Sequence, residues 1–203
     1  MYALIENNEI KKLYNNPRTL TIGDIQYPRS IFSLWTNEEK EVIGIYEVVF
    51  DNTNKKDEAY YINTNQSFNF ADGAVTASYG TATAKLLEDR NEVDEAGEPL
   101  LDDKGNQVVT KGLKSQKKAI IKNQASGLLT PTDWYILKEA DAENYAIPSA
   151  ITTYRVNVRA TSNEMEAKIN ACTTVDELAA LYEYVGDPGS RTRPLGEFPT
   201  LEI

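Results

Sequence analysis

One apolar seam constrains the fold of this 203-residue chain more than any other feature. Seven residues recur at steps of three or four positions after Pro148, where a helix can begin. Such spacing puts one side chain per turn on one face of an α-helix. The pattern predicts a helix of about 24 residues, roughly 36 Å long, whose seam packs against a second element. The seam consists of Ile151, Tyr154, Val158, Ser162, Met165, Ile169 and Cys172.

A further helix is predicted directly after the seam. Thr174 and Glu177 have the spacing of a capping box, in which two side chains accept hydrogen bonds from free N–H groups at a helix start. Gly186 and Gly189 are expected to stop this helix. Its apolar residues at helical spacing are Val175, Leu178, Leu181, Tyr182 and Val185.

Another helix is expected after Gly112, ahead of the seam. Leu113, Gln116 and Ile120 recur at three-to-four spacing and predict its buried face. Five lysines occur along the same stretch. A solvated helix face explains them more simply than a patch that meets an acidic partner. These lysines are Lys111, Lys114, Lys117, Lys118 and Lys122.

The segment Thr130-Pro131 predicts the start of one more helix. Threonine is a favourable N-cap residue, and proline fits the first helical position because its missing N–H is not needed there. Asp133 then lies in the first turn, where the helix dipole favours a negative charge. We expect Trp134 and Leu137, with Tyr135, to face the core of this region.

The first half of the chain carries strand signals. Asn7-Asn8 separates two alternating segments and predicts a β-hairpin, because asparagine tolerates the positive φ of tight turns. The β-branched and aromatic segment 45–50 predicts a buried strand. Residues 60–62 and 68–70 flank the turn-prone residues 63–65 and predict a second hairpin, while residues 74–84 are weakly β.

Two shorter elements are predicted between these strands. Residues 20–22 favour a short strand, since leucine, threonine and isoleucine alternate there. Thr36 and Glu39 form a capping box that begins a very short helix, which Gly44 stops.

Turn-forming residues dominate the stretch between the two halves, and no repeat at a period of 20–50 residues is evident. The fold class is therefore expected to be α+β, in four parts. Residues 1–85 form a β-rich antiparallel domain with hairpins, and residues 86–110 an acidic hairpin or arm. Residues 111–186 form a module of two to four helices, and residues 187–203 an extended C-terminal segment.

Residue types that are absent exclude several classes of chemistry. The chain has no histidine, which removes the Ser-His-Asp triad, the Cys-His dyad and every His-ligated metal site. The single Cys172 cannot close an intrachain disulfide or build a thiolate zinc site, and is expected to be a small core residue. Asp94, Asp102 and Asp103 do not have the ligand spacing of a calcium loop. We expect no metal and no cofactor.

Charge and hydropathy limit the partners. The net charge is −10, and residues 1–110 carry ten basic against nineteen acidic side chains. An acidic surface repels phosphate backbones, so no nucleic-acid partner is expected. The chain has no apolar run long enough to span a membrane, and its first residues lack the pattern of a signal peptide. The twelve tyrosines favour protein interfaces instead.

Two groups of polar residues in the second half have competing interpretations. Asp133 could serve as a catalytic acid, but a first-turn helix charge explains it better because no second suitable titratable group is near it in sequence. Arg155 and Arg159 lie one helical turn apart and could clamp a carboxylate or phosphate. An intramolecular partner such as Asp133 or Glu143 is the simpler expectation for these arginines.

The same residues carry a resemblance to a known family. Leu128-Leu129, then Thr132-Asp133-Trp134-Tyr135, then Ile147-Pro148, and finally Tyr154-Arg155 and Arg159 follow one another in order. This pattern resembles the C-terminal module of bacteriophage tail assembly chaperones and tail-fibre assembly proteins, over about residues 111–185. The resemblance implies an interaction motif centred on Thr132, Asp133, Trp134, Tyr135, Pro148, Tyr154, Arg155 and Arg159.

The resemblance also implies a function. We expect a non-enzymatic structural or adaptor protein, made in the host cytoplasm and located in the viral tail, that attaches or assembles tail fibres on the tail or baseplate. Its partners would be tail-fibre and baseplate proteins, with no small-molecule substrate, and the seam helix permits a homo-oligomer. A transient tail-fibre assembly chaperone, absent from the virion, is the alternative. An enzyme such as a carboxylate-based glycan hydrolase would need two acids in one cleft.

Overall fold

Strands fill the first part of the chain and helices the second, so the predicted α+β class is confirmed. The computed structural model describes residues 1–64 and 66–201. The chain divides into two units, Met1–Thr83 and Ala84–Ile203, which we call the strand unit and the helical unit. None of the helices in the described residues is long and apolar enough to cross a membrane.

The strand unit contains most of the strands and two short helices. In chain order these elements are β1 (Tyr2–Glu6), β2 (Glu9–Tyr14), β3 (Leu20–Ile22), β4 (Ile25–Tyr27), α1 (Ile31–Leu34), α2 (Asn37–Val42), β5 (Ile45–Asp51), β6 (Tyr61–Ile62), β7 (Ser67–Ala71), β8 (Ala74–Ser78) and β9 (Thr83–Ala84).

A five-stranded sheet with the order β2-β1-β5-β8-β7 forms the centre of the strand unit. Its pairs are antiparallel except β5 with β8, which is parallel. Apolar clusters cover both faces of this sheet, which explains why β1 buries three residues in succession. Leu4 and Ile45 belong to one cluster, whereas Ala3, Ile5 and Val48 belong to the other.

The hairpin at Asn7-Asn8 is confirmed. Asn7 has a φ of 52° and Asn8 a φ of 62°, as a tight hairpin turn between β1 and β2 requires. The strand at 20–22 is also present as β3. Gly44 follows α2 with a φ of +79°, and a Cβ there would lie 2.6 Å from the carbonyl oxygen of Ile5. Only glycine fits where α2 turns into β5 beside β1.

The short helix α2 begins as predicted. The Glu39 N–H donates to the Thr36 hydroxyl oxygen at 3.2 Å, and the Thr36 N–H donates to the Glu39 carboxylate at 2.9 Å. The two side chains therefore form the reciprocal capping box that the sequence indicates.

Two strand predictions need correction. The segment 45–50 forms a strand, but Val49 is 59% exposed, so β5 is only partly buried. The predicted hairpin between residues 60–62 and 68–70 is wrong, because β7 pairs with β8 while β6 lies in a separate two-stranded sheet. Of the turn expected at 63–65, Asn65 lies outside the described residues.

The helical unit begins with an arm and continues as helices. Its elements are β10 (Arg90–Asn91), β11 (Val109–Thr110), α3 (Leu113–Leu129), a single 3-10 turn (Thr130–Thr132), α4 (Asp133–Asp141), α5 (Ser149–Ala171) and α6 (Val175–Ala180).

The apolar seam of α5 is confirmed at every position. Helix α5 packs against α3. The α3 face that is buried contains Leu113, Ile121 and Ala125, so the predicted face with Gln116 and Ile120 is wrong. Residues 113, 121 and 125 differ by multiples of four, which places them along one side of the helix. The buried seam residues of α5 and its C-cap are Ile151, Tyr154, Val158, Ser162, Met165, Ile169 and Cys172.

The predicted helix with Asp133 in its first turn is present as α4, but Thr130 is not its N-cap. Thr130 has helical backbone angles, and its hydroxyl donates to the Ser126 carbonyl oxygen at 2.9 Å instead of capping a new helix. The 3-10 turn leads from α3 to α4, with Pro131 early in this turn where a backbone N–H is not required. The chain thus passes from α3 to α4 through one tighter turn, with Thr132 at φ −107° and ψ 0° before α4 begins.

The last helix is capped as predicted but ends earlier. Thr174 and Glu177 form the capping box. Helix α6 ends at Ala180, before the predicted stop, and Val185 is exposed. The extended segment that follows is held in place, because Lys168 donates to the carbonyl oxygens of residues 194 and 195 and Leu195 is fully buried.

The arm at residues 92–108 contains an eight-residue repeat that sequence analysis missed. The N–H of Glu92 donates to the carbonyl oxygen of Val108, that of Leu100 to Glu92, and that of Val108 to Leu100, at 2.8 to 2.9 Å. Three chain segments eight residues apart thus form a closed hydrogen-bonded ring. The Gln107 side-chain amide donates to the same three carbonyl oxygens and fills its centre.

Residues 86–89, which precede the arm, accept hydrogen bonds from the N–H groups at the start of α3. The Leu113 and Lys114 N–H groups donate to the carbonyl oxygens of residues 86 and 87, and the Asp89 carboxylate accepts from the Gly112 N–H at 2.9 Å. These contacts satisfy donors that a helix start leaves free. A Cβ on Gly112 would lie 2.3 Å from the carbonyl oxygen of Glu88, so the close approach requires glycine.

Candidate interaction site

Arg155 is the centre of the motif that the sequence singled out. This α5 side chain is only 7% exposed, and its guanidinium reaches the 3-10 turn. It donates to the Leu129 carbonyl oxygen at 2.9 Å, to the Thr132 hydroxyl oxygen at 2.6 Å and to the Asp133 carboxylate at 2.8 Å. The expected intramolecular acidic partner is confirmed for Arg155, which pairs with Asp133. The same expectation is wrong for Arg159, which forms no ion pair with a described residue.

These contacts explain how a charged side chain can be buried here. An unpaired buried charge is strongly unfavourable, whereas a charge with hydrogen-bond partners is tolerated. Thr132 is itself buried, and its hydroxyl donates to the Leu129 carbonyl oxygen at 2.7 Å. Asp133 remains 54% exposed. Arg155 therefore joins α5 to the C-terminal end of α3 and to the first residue of α4.

Tyr154 lies beside Arg155 but has a packing role. It belongs to a buried cluster with Ala125 and Val158, and its hydroxyl donates to the Leu128 carbonyl oxygen at 3.4 Å. Phe198 and Leu201 of the C-terminal segment also pack against this cluster, as do Leu128 and Leu129.

The expectation that Trp134 faces the core is wrong. Trp134 is 49% exposed and Leu137 is 66% exposed, and α4 has no buried residue. The Trp134 ring stacks on Tyr135 at 3.8 Å between centroids, and the Lys138 ammonium lies 5.7 Å from the Trp134 centroid. Two residues earlier, Thr132 is the buried residue of this segment, and the buried cluster around Tyr154 and Val158 contains no residue of α4.

Pro148 and Arg159 are separated from that network. Pro148 is exposed at the N-cap of α5. Arg159 is exposed, and its guanidinium makes one hydrogen bond, of 3.5 Å, to the Arg155 carbonyl oxygen. The structure thus brings Thr132, Asp133 and Arg155 together.

A groove of about 440 Å³ runs between α3 and α5 beside this network. We call it the α3–α5 groove. Asp133 is the one carboxylate that lines it among the described residues. The polar and charged residues that line it include Lys122, Ser126, Asp133, Arg155, Arg159 and Ser162.

The lysines of α3 have partners within the unit, in contrast to the predicted solvated face. Lys114 is buried and pairs with Glu88, and it also donates to the Asn170 carbonyl oxygen at 3.0 Å. Lys118 donates to the Asn170 side chain at 2.8 Å. Lys122 lies 3.4 Å from Glu166. Lysines on α3 therefore connect it to α5, a role that linear spacing does not reveal.

Asp94 and Asp102 of the arm are turn residues. Each carboxylate accepts hydrogen bonds from the backbone N–H groups two and four residues later, at 2.8 to 3.0 Å. The bonds from Asn106 and Lys104 lower the pKa of Asp102 below its usual value. No group of three potential metal-binding side chains occurs in the described part of the chain.

Sequence analysis missed Lys122, Ser126 and Ser162 as groove residues. The burial of Ser162 was predicted from the seam, but its position beside Arg159 and facing α3 depends on how two helices pack. The periodicity of α5 contained one usable signal, because residues 155, 159 and 162 are four and three positions apart and so share a stripe.

Comparisons with known proteins do not assign this chain to a family. No protein-family model matches this chain, and neither the curated proteins nor the solved structures gave a match.

Proposed function

We propose that this chain is a non-enzymatic bacteriophage tail protein, a structural or adaptor component that attaches or assembles tail fibres on the tail or baseplate. The order of motif residues from Leu128 to Arg159 supports the phage assignment by resemblance. The exposure of helix α4 is the observation that carries the binding role.

Helix α4 has the features of a docking element. Trp134 and Leu137 lie three residues apart and share one side of the helix, and both are largely exposed. Large apolar side chains that are exposed together mark interaction surfaces, and tryptophan is enriched among residues that dominate binding energy. The Arg155–Asp133 pair holds the start of this helix, so the surface is presented in a fixed orientation.

The charges around α4 define the partner surface. Glu139, Asp141 and Glu143 accompany the apolar residues, with Lys138 as the single base in the helix. Complementary potentials favour a partner whose apolar groove is bordered by basic side chains. The proposed occupant is therefore such a groove on a tail-fibre or baseplate protein.

The acids that line the α3–α5 groove do not suit glycoside hydrolysis. Glycoside hydrolysis uses two carboxyl groups that flank the scissile bond. The α3–α5 groove has Asp133 as its one lining carboxylate among the described residues, and Arg155 pairs with it. Among the described residues, this groove therefore lacks the pair of free carboxylates that such a hydrolase needs.

Particle composition tests the proposed function. Purified phage particles that carry this gene should contain the chain, detected by mass spectrometry at a constant ratio to the fibre protein. If finished particles lack the chain while fibre solubility depends on its co-expression, the protein is the transient assembly chaperone. A chain that binds no tail protein at all would contradict both.

A pull-down with the purified fibre and baseplate proteins tests the surface. The double variant W134A/L137A should lose at least about tenfold in affinity, which corresponds to roughly 1.4 kcal/mol. The variant V42A removes an exposed apolar side chain from the strand unit and serves as the matched control. Equal binding by W134A/L137A and the control would exclude α4 as the docking element.

A further inference from the structure

Two polar side chains along the α3–α5 groove have unused hydrogen-bonding capacity. Ser162 is only 7% exposed and lines the groove, yet its hydroxyl makes no hydrogen bond to any other described residue. Arg159 makes a single hydrogen bond, at 3.5 Å, and no carboxylate of the described residues lies within 4 Å of its guanidinium. Both groups line the groove, so they are free to hydrogen-bond to a ligand that enters it.

The α3–α5 groove has more positive than negative side chains. Asp133 pairs with Arg155, and Glu166 pairs with Lys122 at the edge of the groove. Arg159 is left without an acidic partner in the described part of the chain. The groove therefore has an excess positive charge that attracts an anionic group, although the net charge of the chain is −10.

The geometry defines which anionic group fits. Arg155, Arg159 and Ser162 lie on one stripe of α5, so their donors follow each other along the groove. A guanidinium binds a carboxylate through two parallel N–H bonds, and a hydroxyl can add a third. A volume of about 440 Å³ is within the range of sites that hold small ligands or short peptide segments.

We propose that the α3–α5 groove binds a carboxylate of a partner protein, with Arg159 forming the ion pair and Ser162 donating a hydrogen bond. The inference deepens the proposed function and depends on it for the nature of the partner, a protein. The groove supplies charge recognition, while the exposed side of α4 supplies apolar contact area.

Four probes, titrated into the full-length chain and followed by NMR of the arginine Nε–H groups, test the groove. The first is a short glutamate peptide with both ends blocked, which offers side-chain carboxylates. The second is a glutamine peptide with a free C-terminus, which offers the terminal carboxylate. The same glutamine peptide with both ends blocked is the neutral control, and sodium phosphate is the free anion.

One or both carboxylate peptides should shift the Arg159 signal, and the responding peptide identifies the source of the carboxylate. The blocked glutamine peptide should have no effect. The variant R159Q should lower the affinity at least about tenfold, the loss expected for a charged hydrogen-bonded pair of roughly 1.4 kcal/mol. The variant S162A should lower it about threefold.

The variant K104Q controls for the change in net charge. Lys104 is an exposed lysine of the arm, so K104Q removes the same charge as R159Q and should leave binding unchanged. Because Arg159 is exposed, R159Q should keep the helical circular dichroism of the native chain.

Three results would overturn the inference. These are the absence of binding by both carboxylate peptides, equal binding by R159Q and the native chain, and a response to phosphate alone. Each of these results concerns the groove and leaves particle composition unaffected, so failure here is distinguishable from failure of the tail-protein proposal.

Discussion

The strand unit and the helical unit bury charged side chains for different purposes. In the strand unit the buried Lys40 lies with its ammonium 5.2 Å from the Tyr2 ring centroid, at the edge of an apolar core. In the helical unit the buried Lys114 and Arg155 each reach a carbonyl oxygen near the C-terminal end of another helix, at Asn170 and Leu129. Helices α3 and α5 therefore hold each other at both ends.

This difference shows how each unit fixes the register of its elements. A sheet with both faces covered fixes register by alternation, since a slip of one residue exchanges its two faces. An apolar seam between two helices repeats every turn, so it limits the sliding of one helix along the other less strictly than the alternation of a sheet limits a strand. Cations near the C-terminal ends of helices satisfy free carbonyl groups and match the helix dipole. In the helical unit these polar contacts supply the register that the seam alone does not.

The largest expected effect tests whether the two units unfold separately. M165A and I45A each remove a fully buried side chain, one from each unit, and should cost about 3 kcal/mol. Trp35 and Trp134 provide one fluorescence reporter in each unit, so the variants are made in W35F and W134F backgrounds. Urea unfolding should shift mainly for the reporter in the mutated unit. An equal shift of both reporters would show that the two units unfold together.

A smaller effect is expected from removing the polar contact at the C-terminal end of α3. The variant R155M removes the guanidinium donor from the Leu129 carbonyl oxygen, the Thr132 hydroxyl oxygen and the Asp133 carboxylate, and should cost about 2 kcal/mol of the free energy of unfolding. The Leu129 carbonyl keeps only the hydrogen bond from the Thr132 hydroxyl. The matched control is R159M, which changes an exposed arginine one turn further along α5 and should change stability by less than about 0.5 kcal/mol. Equal losses in urea melts would show that packing alone holds α5 in register.

A third prediction concerns acid and the start of α3. The hydrogen bonds from Lys111, Ser115 and Gly112 lower the pKa of Asp89 from 3.8 to about 2. Because the folded pKa lies below the unfolded one, the charged carboxylate stabilises the helical unit above pH 3.8. That contribution is lost as the pH falls from 3.8 toward 2.

The variant D89N tests this contribution. It should be less stable than the native chain at pH 7, and the difference should close near pH 2 in thermal melts. The variant D103N removes the same charge from the arm without the contacts to α3 and should show a smaller difference. A difference for D89N that does not depend on pH would contradict the role of the carboxylate charge.

The smallest expected effect on stability is that of W134A. Trp134 is half exposed and stacks on its neighbour Tyr135, so its removal should change the free energy of unfolding by no more than about 0.5 kcal/mol. L34A removes an apolar residue of the strand unit that is 77% exposed, and should likewise change stability little in urea melts. A loss of several kcal/mol for W134A would mean that this residue belongs to the core, as the sequence predicts.

Local signals in the sequence predicted the elements that depend on nearby residues. The hairpin at Asn7-Asn8, both capping boxes and the seam of α5 are confirmed because each depends on side chains within a few positions or on one helical period. Thr130-Pro131 was misinterpreted although its signal was equally local. A threonine hydroxyl can accept a hydrogen bond from an N–H at a helix start, or it can donate one to a carbonyl oxygen four residues earlier. Thr130 does the second, because its hydroxyl donates to the Ser126 carbonyl oxygen of α3.

The candidate site was predicted in part. Thr132, Asp133 and Arg155 were named from sequence, and the Arg155–Asp133 pair followed from their opposite charges. Trp134 was placed in the core because large aromatic residues are usually buried. The groove residues Lys122 and Ser162 were not recognised as a pair, since they belong to different helices and are forty positions apart.

By itself the sequence determined the α+β class, the hairpin at Asn7-Asn8, the capped starts of two helices and the apolar face of α5, and it showed which catalytic and metal-binding chemistries lack their residues. Only the tertiary structure decided that β5 and β8 pair in parallel, that Lys114 and Arg155 bind the ends of facing helices, and that α4 remains exposed. The physical reason is distance along the chain. Periodicity and capping act over a few residues, whereas strand pairing, buried charge pairs and exposure depend on elements that only folding brings together.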